Sequence, residues 1–323
     1  MGWLLAVHVG AGRYGESAES QAQYEALLRD ALAEGRRLMT QYAASDEKPT
    51  MNGMDMNSDT TMTAAAGVAS GVLRVLEHNA RTNCGRGSNL TEAGVVECEA
   101  SVVCGRTRRV AACAAVRGVA EPSALALRLL ANAACNEGNG VASTGGRGDG
   151  ATALARAWGL NTLPTDADEE TRRAYQVTEA ARRQWRKWHT VMEGGHTKTE
   201  EEEEEERRLD TVGAVCVDLE GNTAAALSSG GVLYKVPGRV GLAGCPRMGC
   251  DARNAREKAA YAGDGGRKRK RTRWREEKHS YGFAVASTGR GEHFIRSALV
   301  PAIGVRLRSG EDADGVVRWV EAG

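Results

Sequence analysis

The segment EEEEEERRLDTVGAVCVDLEGN, residues 201–222, changes within a few residues from a run of charge to an alternating apolar strand. Consecutive glutamates, Glu200 to Glu206, repel one another and favour solvent, so this stretch reads as a solvated tether rather than as packed structure. TVGAVCVD, the turn LEGN and TAAALSS then read as two short strands joined as a hairpin. A fold for this chain must therefore deliver a charged linker directly onto a strand, with Asp210 and Thr211 at the junction.

The rest of the chain supplies the layers around that hairpin. WLLAVHVGAG is an apolar run ended by glycines, a buried strand leading into a close turn. Tyr24, Leu27, Leu28, Ala31, Gly35, Leu38 and Tyr42 recur at helical spacing, and TMTAAAGVASGVLRVLEHN continues as a small-residue helix. VVECEASVVC alternates as a strand, Pro122 opens a helix over SALALRLLANAA, and GATALARAWGL forms a short one. Forty glycines against two phenylalanines imply many tight turns and a core of Ala, Val and Leu. Residues 163–208 are read as one charged, flexible linker. The strand YGFAVA precedes STGRGE and the helix EHFIRSALV, and IGVRLRSGEDADGVVRWVEAG is expected to add one or two edge strands.

Composition excludes some functions. Forty-three Lys and Arg balance 42 Asp and Glu, which argues against a general nucleic-acid binder. No apolar run reaches the length of about 20 residues that a membrane span needs. The eight cysteines form no CxxC pair, and Cys245, Cys250 and His279 fit no zinc spacing, so no metal centre is expected and a reduced cytoplasmic or nuclear setting is.

Thr211 carries the candidate chemistry. A threonine hydroxyl needs a base to become a nucleophile, and a free α-amine on the same residue, with a pKa of about 7.7–8.0, can be that base. Cleavage of the Asp210–Thr211 bond would create it. Without such cleavage Thr211 is simply a β-favouring residue that opens a strand.

HVGAG at 8–12, TNCGRGSNLTEAGVVECEASVV at 82–103, EPSALALRLL at 121–130, LDTVGAVCVDLEGNTAAALSSGG at 209–231, KVPGRVG at 235–241 and STGRGEHFIR at 287–296 stand in an order that resembles the N-terminal-nucleophile asparaginase family, and within it the threonine aspartase branch. The resemblance implies an α+β fold, a four-layer αββα sandwich in one domain over 1–323, with an incomplete C-terminal sheet. It implies autocleavage into an α part, 1–210, and a β part, 211–323, that remain paired, with a dimer of such pairs as a further expectation. Thr211 would be the nucleophile, Ser229 its assisting hydroxyl, Thr288 and Gly289 the oxyanion-hole pair, Arg239 with Gly230 and Gly231 the substrate-binding group, and Asn83 a support near the scissile bond. No organic cofactor is implied; a structural sodium on the carbonyls of 77–88 is.

Asparaginases of this family carry Gly before the nucleophile and an Asp three residues after the substrate-binding arginine. Here those positions hold Asp210 and Leu242. Leucine cannot hold an ammonium, so the expectation is an endopeptidase that cuts a protein partner after aspartate. An L-asparaginase or isoaspartyl peptidase of the same fold is the alternative, and a catalytically degenerate interaction protein the third reading. The insertion GGRKRKRTRWREEKHS at 265–280 reads either as a solvated loop or as a patch for a nuclear import receptor or phosphate.

Overall fold

The computed structural model describes residues 2–10, 17–44, 62–135, 145–194, 211–255 and 281–322. Asp210, the glutamate run and the basic insertion 265–280 lie outside them.

The small apolar strands assemble into one six-stranded sheet. Its members are β1 (Leu4–His8), β2 (Cys98–Cys104), β3 (Arg109–Val116), β4 (Gly145–Arg147), β5 (Val212–Val217) and β6 (Thr223–Ser229), in the order β1-β5-β6-β2-β3-β4. All neighbours are antiparallel except β3 and β4. The LEGN turn closes as expected: Asp218 N donates to Asn222 O at 3.0 Å, and Gly221 takes the left-handed φ of 80° that the turn requires.

The helices α1 (Ala18–Ala44), α2 (Ala64–Glu77) and α3 (Pro122–Cys135) form the layer on one face of this sheet. In α1 the buried positions Leu27, Ala31, Gly35 and Leu38 keep the 3.6-residue spacing. Gly35 is required by closeness, because a Cβ there would lie 2.3 Å from Leu5 Cδ2. Thr63 caps α2 by accepting Ala66 N–H at 3.3 Å, and Pro122 occupies the first turn of α3. Buried Ala, Val and Leu from these helices and the sheet make the main core.

The other face is covered by a second sheet, β7 (Cys250–Arg253) with β8 (Phe283–Ala286), paired antiparallel. Helix α8 (Leu299–Arg308) packs on its far side, after α7 (Gly291–Ser297), and α9 (Ala313–Ala322) packs on α8. The order is thus helix, sheet, sheet, helix, and the second sheet has two strands among the described residues. Ala298, at φ 48°, breaks the helix read over EHFIRSALV into α7 and α8.

Two expectations fail here. Residues 303–322 contribute helices, not edge strands, because Val316 and Val320 recur one helical turn apart and face the apolar groove beside β8. The segment 163–208 is not one flexible linker: α4 (Gly148–Ala157) is followed by α5 (Glu169–Ala174) and α6 (Glu179–Gly194). Helix α6 docks through buried Ala181 and Trp188 and through Trp185, whose Nε1 donates to Thr91 O at 2.9 Å. Among the described residues no helix is long and apolar enough to cross a membrane.

Candidate active site

Thr211 stands immediately before β5, where the strand register carries it opposite Ser229, the last residue of β6. Thr211 is only 8% exposed, and its Oγ1 donates to Ser229 Oγ at 3.2 Å. Ser229 Oγ also accepts Gly231 N–H at 2.9 Å, which fixes the serine rotamer. Across the next strand Ser229 pairs with Glu99 of β2. Thr211, Ser229 and Glu99 therefore form one row over three strands, with all three side chains on the same face of the sheet.

That row forms the floor of a cleft whose walls include Asn83, Gly231, Arg239, Gly241, Leu242 and Gly289. The residues at 97, 99 and 235 explain how the loop carrying Arg239 is held. Glu97 accepts Gly238 N–H at 2.7 Å and two hydrogen bonds from Arg117, at 2.8 and 2.5 Å. Glu99 accepts Gly241 N–H at 2.5 Å. Lys235, 5% exposed, donates from Nζ to Glu97 O at 2.5 Å and to Gly230 O. Burial pushes the Glu99 carboxyl up from its ordinary value, against the lowering effect of Lys235, Gly241 N–H and Arg239; burial pushes the Lys235 ammonium down. Arg239 itself pairs with Glu292 in the first turn of α7.

Asn83 supports the turn after β6. Its Nδ2 donates to Gly231 O at 2.8 Å, its Oδ1 accepts Asn89 N–H at 2.8 Å, and its carbonyl accepts Gly230 N–H at 2.6 Å. A Cβ on Gly230 would lie 2.4 Å from Asn83 Oδ1, so glycine is needed for this approach. Gly230 thereby builds the turn, while Gly231 faces the cleft. In the loop proposed for sodium, the carbonyls of Leu76, Glu77 and Gly85 accept hydrogen bonds from Thr82 Oγ1, Arg86 N and Ser88 Oγ at 2.6, 2.7 and 2.9 Å.

Of the proposed oxyanion pair, Gly289 lines the cleft at φ 137°. Thr288 beside it does not, and its buried Oγ1 makes no hydrogen bond. The structure thus brings together Thr211, Ser229, Asn83, Gly231, Arg239 and Gly289. Glu97, Glu99 and Lys235 were missed as site residues, although the alternation in VVECEASVV, residues 95–103, and the nearness of Lys235 to the PGR turn were visible in sequence.

Two further groups, one on β1 and one on α2, titrate away from their ordinary values beside the strands around the nucleophile. His8 of β1 pairs with Gly213, and a Cβ on that glycine would lie 2.2 Å from His8 Nε2, so the ring occupies the space over residue 213. Burial lowers its pKa to about 4, opposed by the Thr211 backbone beside it, and leaves the imidazole neutral at pH 7. Behind the sheet, Glu77 is fully buried and accepts Ser228 Oγ at 2.6 Å, Ser123 N at 2.8 Å and Ser123 Oγ at 2.8 Å. Its burial raises its pKa to about 8.

Comparison with known proteins gives this arrangement a setting. The profile of a family described as asparaginase, Asparaginase_2, matches residues 1–268. A plant-type L-asparaginase of Pyrobaculum calidifontis is 35% identical over 255 residues, 77% of this chain and 70% of its own. An isoaspartyl peptidase/L-asparaginase of Xenopus laevis is 30% identical over 251 residues, 78% of this chain and 67% of its own. The isoaspartyl peptidase of Escherichia coli is 31% identical over 234 residues, 72% of this chain and 60% of its own.

Proposed function

We propose, from the premise that this chain belongs to the asparaginase family of N-terminal-nucleophile hydrolases, that it hydrolyses the side-chain amide of a small aspartyl compound, as an L-asparaginase or isoaspartyl peptidase. This reading replaces the expected aspartate-directed endopeptidase, because the three relatives named above are an L-asparaginase, an isoaspartyl peptidase/L-asparaginase and an isoaspartyl peptidase. One observation carries it: the Thr211 hydroxyl, hydrogen-bonded to Ser229, sits on the floor of a small cleft that also holds Arg239.

The chemistry follows from the groups present. Cleavage before Thr211 frees its α-amine, which takes the proton from Oγ1 as the oxygen attacks the amide carbonyl. The oxygen of the tetrahedral intermediate faces the Gly289 side of the cleft. The C–N bond breaks, the amine leaves with the proton, and water attacks the threonyl ester to release the acid and restore Thr211. Arg239, whose Nη2 is held by Glu292, turns its remaining N–H groups to the substrate carboxylate, and the planar guanidinium can meet two oxygens at once.

Pairing of the two parts after cleavage is supported by topology. β1 and β2 precede the junction, β5 and β6 follow it, and β1 pairs with β5 while β2 pairs with β6. The cut therefore leaves both parts in one sheet. A structural sodium on the 77–88 loop, a dimer of the paired parts and an import receptor for 265–280 remain further proposals of this reading.

The endopeptidase is the second reading, kept for one observation: Leu242, where a substrate ammonium would need a carboxylate, is an apolar cleft residue only 4% exposed. Ammonia release from L-asparagine or hydrolysis of a β-aspartyl dipeptide by the processed protein supports the first reading. Cleavage of aspartate-containing polypeptides without either activity selects the second.

A further inference from the structure

The cleft contains a carboxylate in another place. Glu99, 3% exposed, lies in the same row as Thr211 and Ser229 and forms part of the cleft wall. It stands beside the arginine: a Cβ placed on Gly241 would be 2.5 Å from Glu99 Oε1 and 2.9 Å from Arg239 Nη1, so the two opposite charges converge on one point of the wall. A free α-amino acid carries its carboxylate and ammonium on a single carbon, and therefore needs an adjacent cation and anion. Gly241 N–H donates to Glu99 Oε2 and the Ala243 backbone also bonds the carboxylate, which fixes the side chain; two backbone donors do not fill the roughly four lone-pair sites of a carboxylate, so it keeps acceptor capacity for an ammonium. The other charges near Glu99 are Lys235, turned onto backbone carbonyls, and Arg239.

We propose that Glu99 is the group that holds the substrate ammonium, so that the cleft grips an α-amino acid with its carboxylate on Arg239 and its ammonium on Glu99. This assignment rests on the asparaginase reading and removes its main difficulty, since the anchor that Leu242 cannot provide comes from β2. It also makes an internal peptide segment, which has no free ammonium, a poorer occupant, since such a segment forgoes the charge-assisted bond to Glu99.

The test uses ligands that differ by the amine alone. Calorimetry on the processed protein compares L-aspartate with succinate, which lacks only the ammonium, and kinetics compares L-asparagine with succinamate. The parent protein is expected to bind L-aspartate about 10-fold or more tighter than succinate. In Glu99→Gln that preference falls to about 2-fold or less, and in the double variant Glu99→Gln, Leu242→Asp it returns, which loss of a purely structural contact at Gly241 would not allow. Equal binding of aspartate and succinate by the parent overturns the assignment without the need for any variant, as does an unchanged preference in a folded Glu99→Gln protein. The two levels separate. Hydrolysis of asparagine with no role for Glu99 defeats this inference alone, whereas Glu99-dependent aspartate binding without hydrolysis upholds it and defeats the proposed reaction.

Discussion

Thr211 and Ser229, 18 positions apart in sequence, meet hydroxyl to hydroxyl at 3.2 Å because the β5–β6 hairpin folds back in strict register. The same register brings Glu99 onto the row from a strand more than a hundred residues earlier. A pair held by strand pairing on both sides has little freedom to drift, which is what a nucleophile and its neighbour need.

Removing the serine hydroxyl should therefore affect chemistry more than folding. Ser229→Ala loses one hydrogen bond to Thr211 and one to Gly231, and its cleavage and turnover rates should fall about 10- to 100-fold with the melting temperature little changed. Timed gel assays of processing, beside a melting curve, check this; an unaltered rate would show that Ser229 only terminates a strand.

Arg239→Ala should raise KM about 10- to 100-fold while kcat changes less, because the guanidinium binds carboxylate alike before and during reaction. Arg239→Lys should recover only part of the loss, since an ammonium cannot form the two-pronged pair. Steady-state kinetics with L-asparagine measures both.

Gly213→Ala should destabilise the fold by about 1–3 kcal/mol, because the new Cβ would meet His8 Nε2 at 2.2 Å and Leu227 Cδ2 at 2.7 Å. Combining it with His8→Ala should return part of that loss in denaturant titrations. A Gly213→Ala protein as stable as the parent would show that His8 is free to move away.

Glu77 gives a pH signature. Its pKa rises from 4.5 in the unfolded chain to about 8 in the fold, so between those values the native state binds more protons than the unfolded one. Stability from this group must fall as pH climbs from about 4.5 to about 8, then level off. Glu77→Gln, which keeps the size and removes the titration, should flatten that part of the curve; an identical slope in both proteins would assign the decline elsewhere.

The residues that follow one simple rule were legible. The 3.6-residue spacing in α1, the LEGN hairpin and Pro122 at a helix start transfer from sequence to structure, since each depends on local geometry, whereas Ser229 was named beside Thr211 through the family resemblance alone. Glu97 and Glu99 were not read as site residues because alternation suggests a polar, solvated face, whereas both faces of β2 are buried. Only the long-range arrival of Lys235 and the PGR turn makes their charges tolerable there. Helix α6 was hidden by its arginines, although Ala181, Trp185 and Trp188 already mark one helical face. Long side chains put their charge outward while the same helix buries tryptophan. The C-terminal helices were misread for a related reason: a short valine-rich stretch suits either period, and packing against β8 and the apolar groove decides it.

The central claim is that Thr211 becomes a chain terminus and a nucleophile. Intact mass and N-terminal sequencing of the parent beside Thr211→Ala test it most directly. Two fragments are expected from the parent, the smaller beginning Thr-Val-Gly, and one uncut chain from the variant. A folded parent that stays uncut, or a variant cut at the same bond, would contradict it.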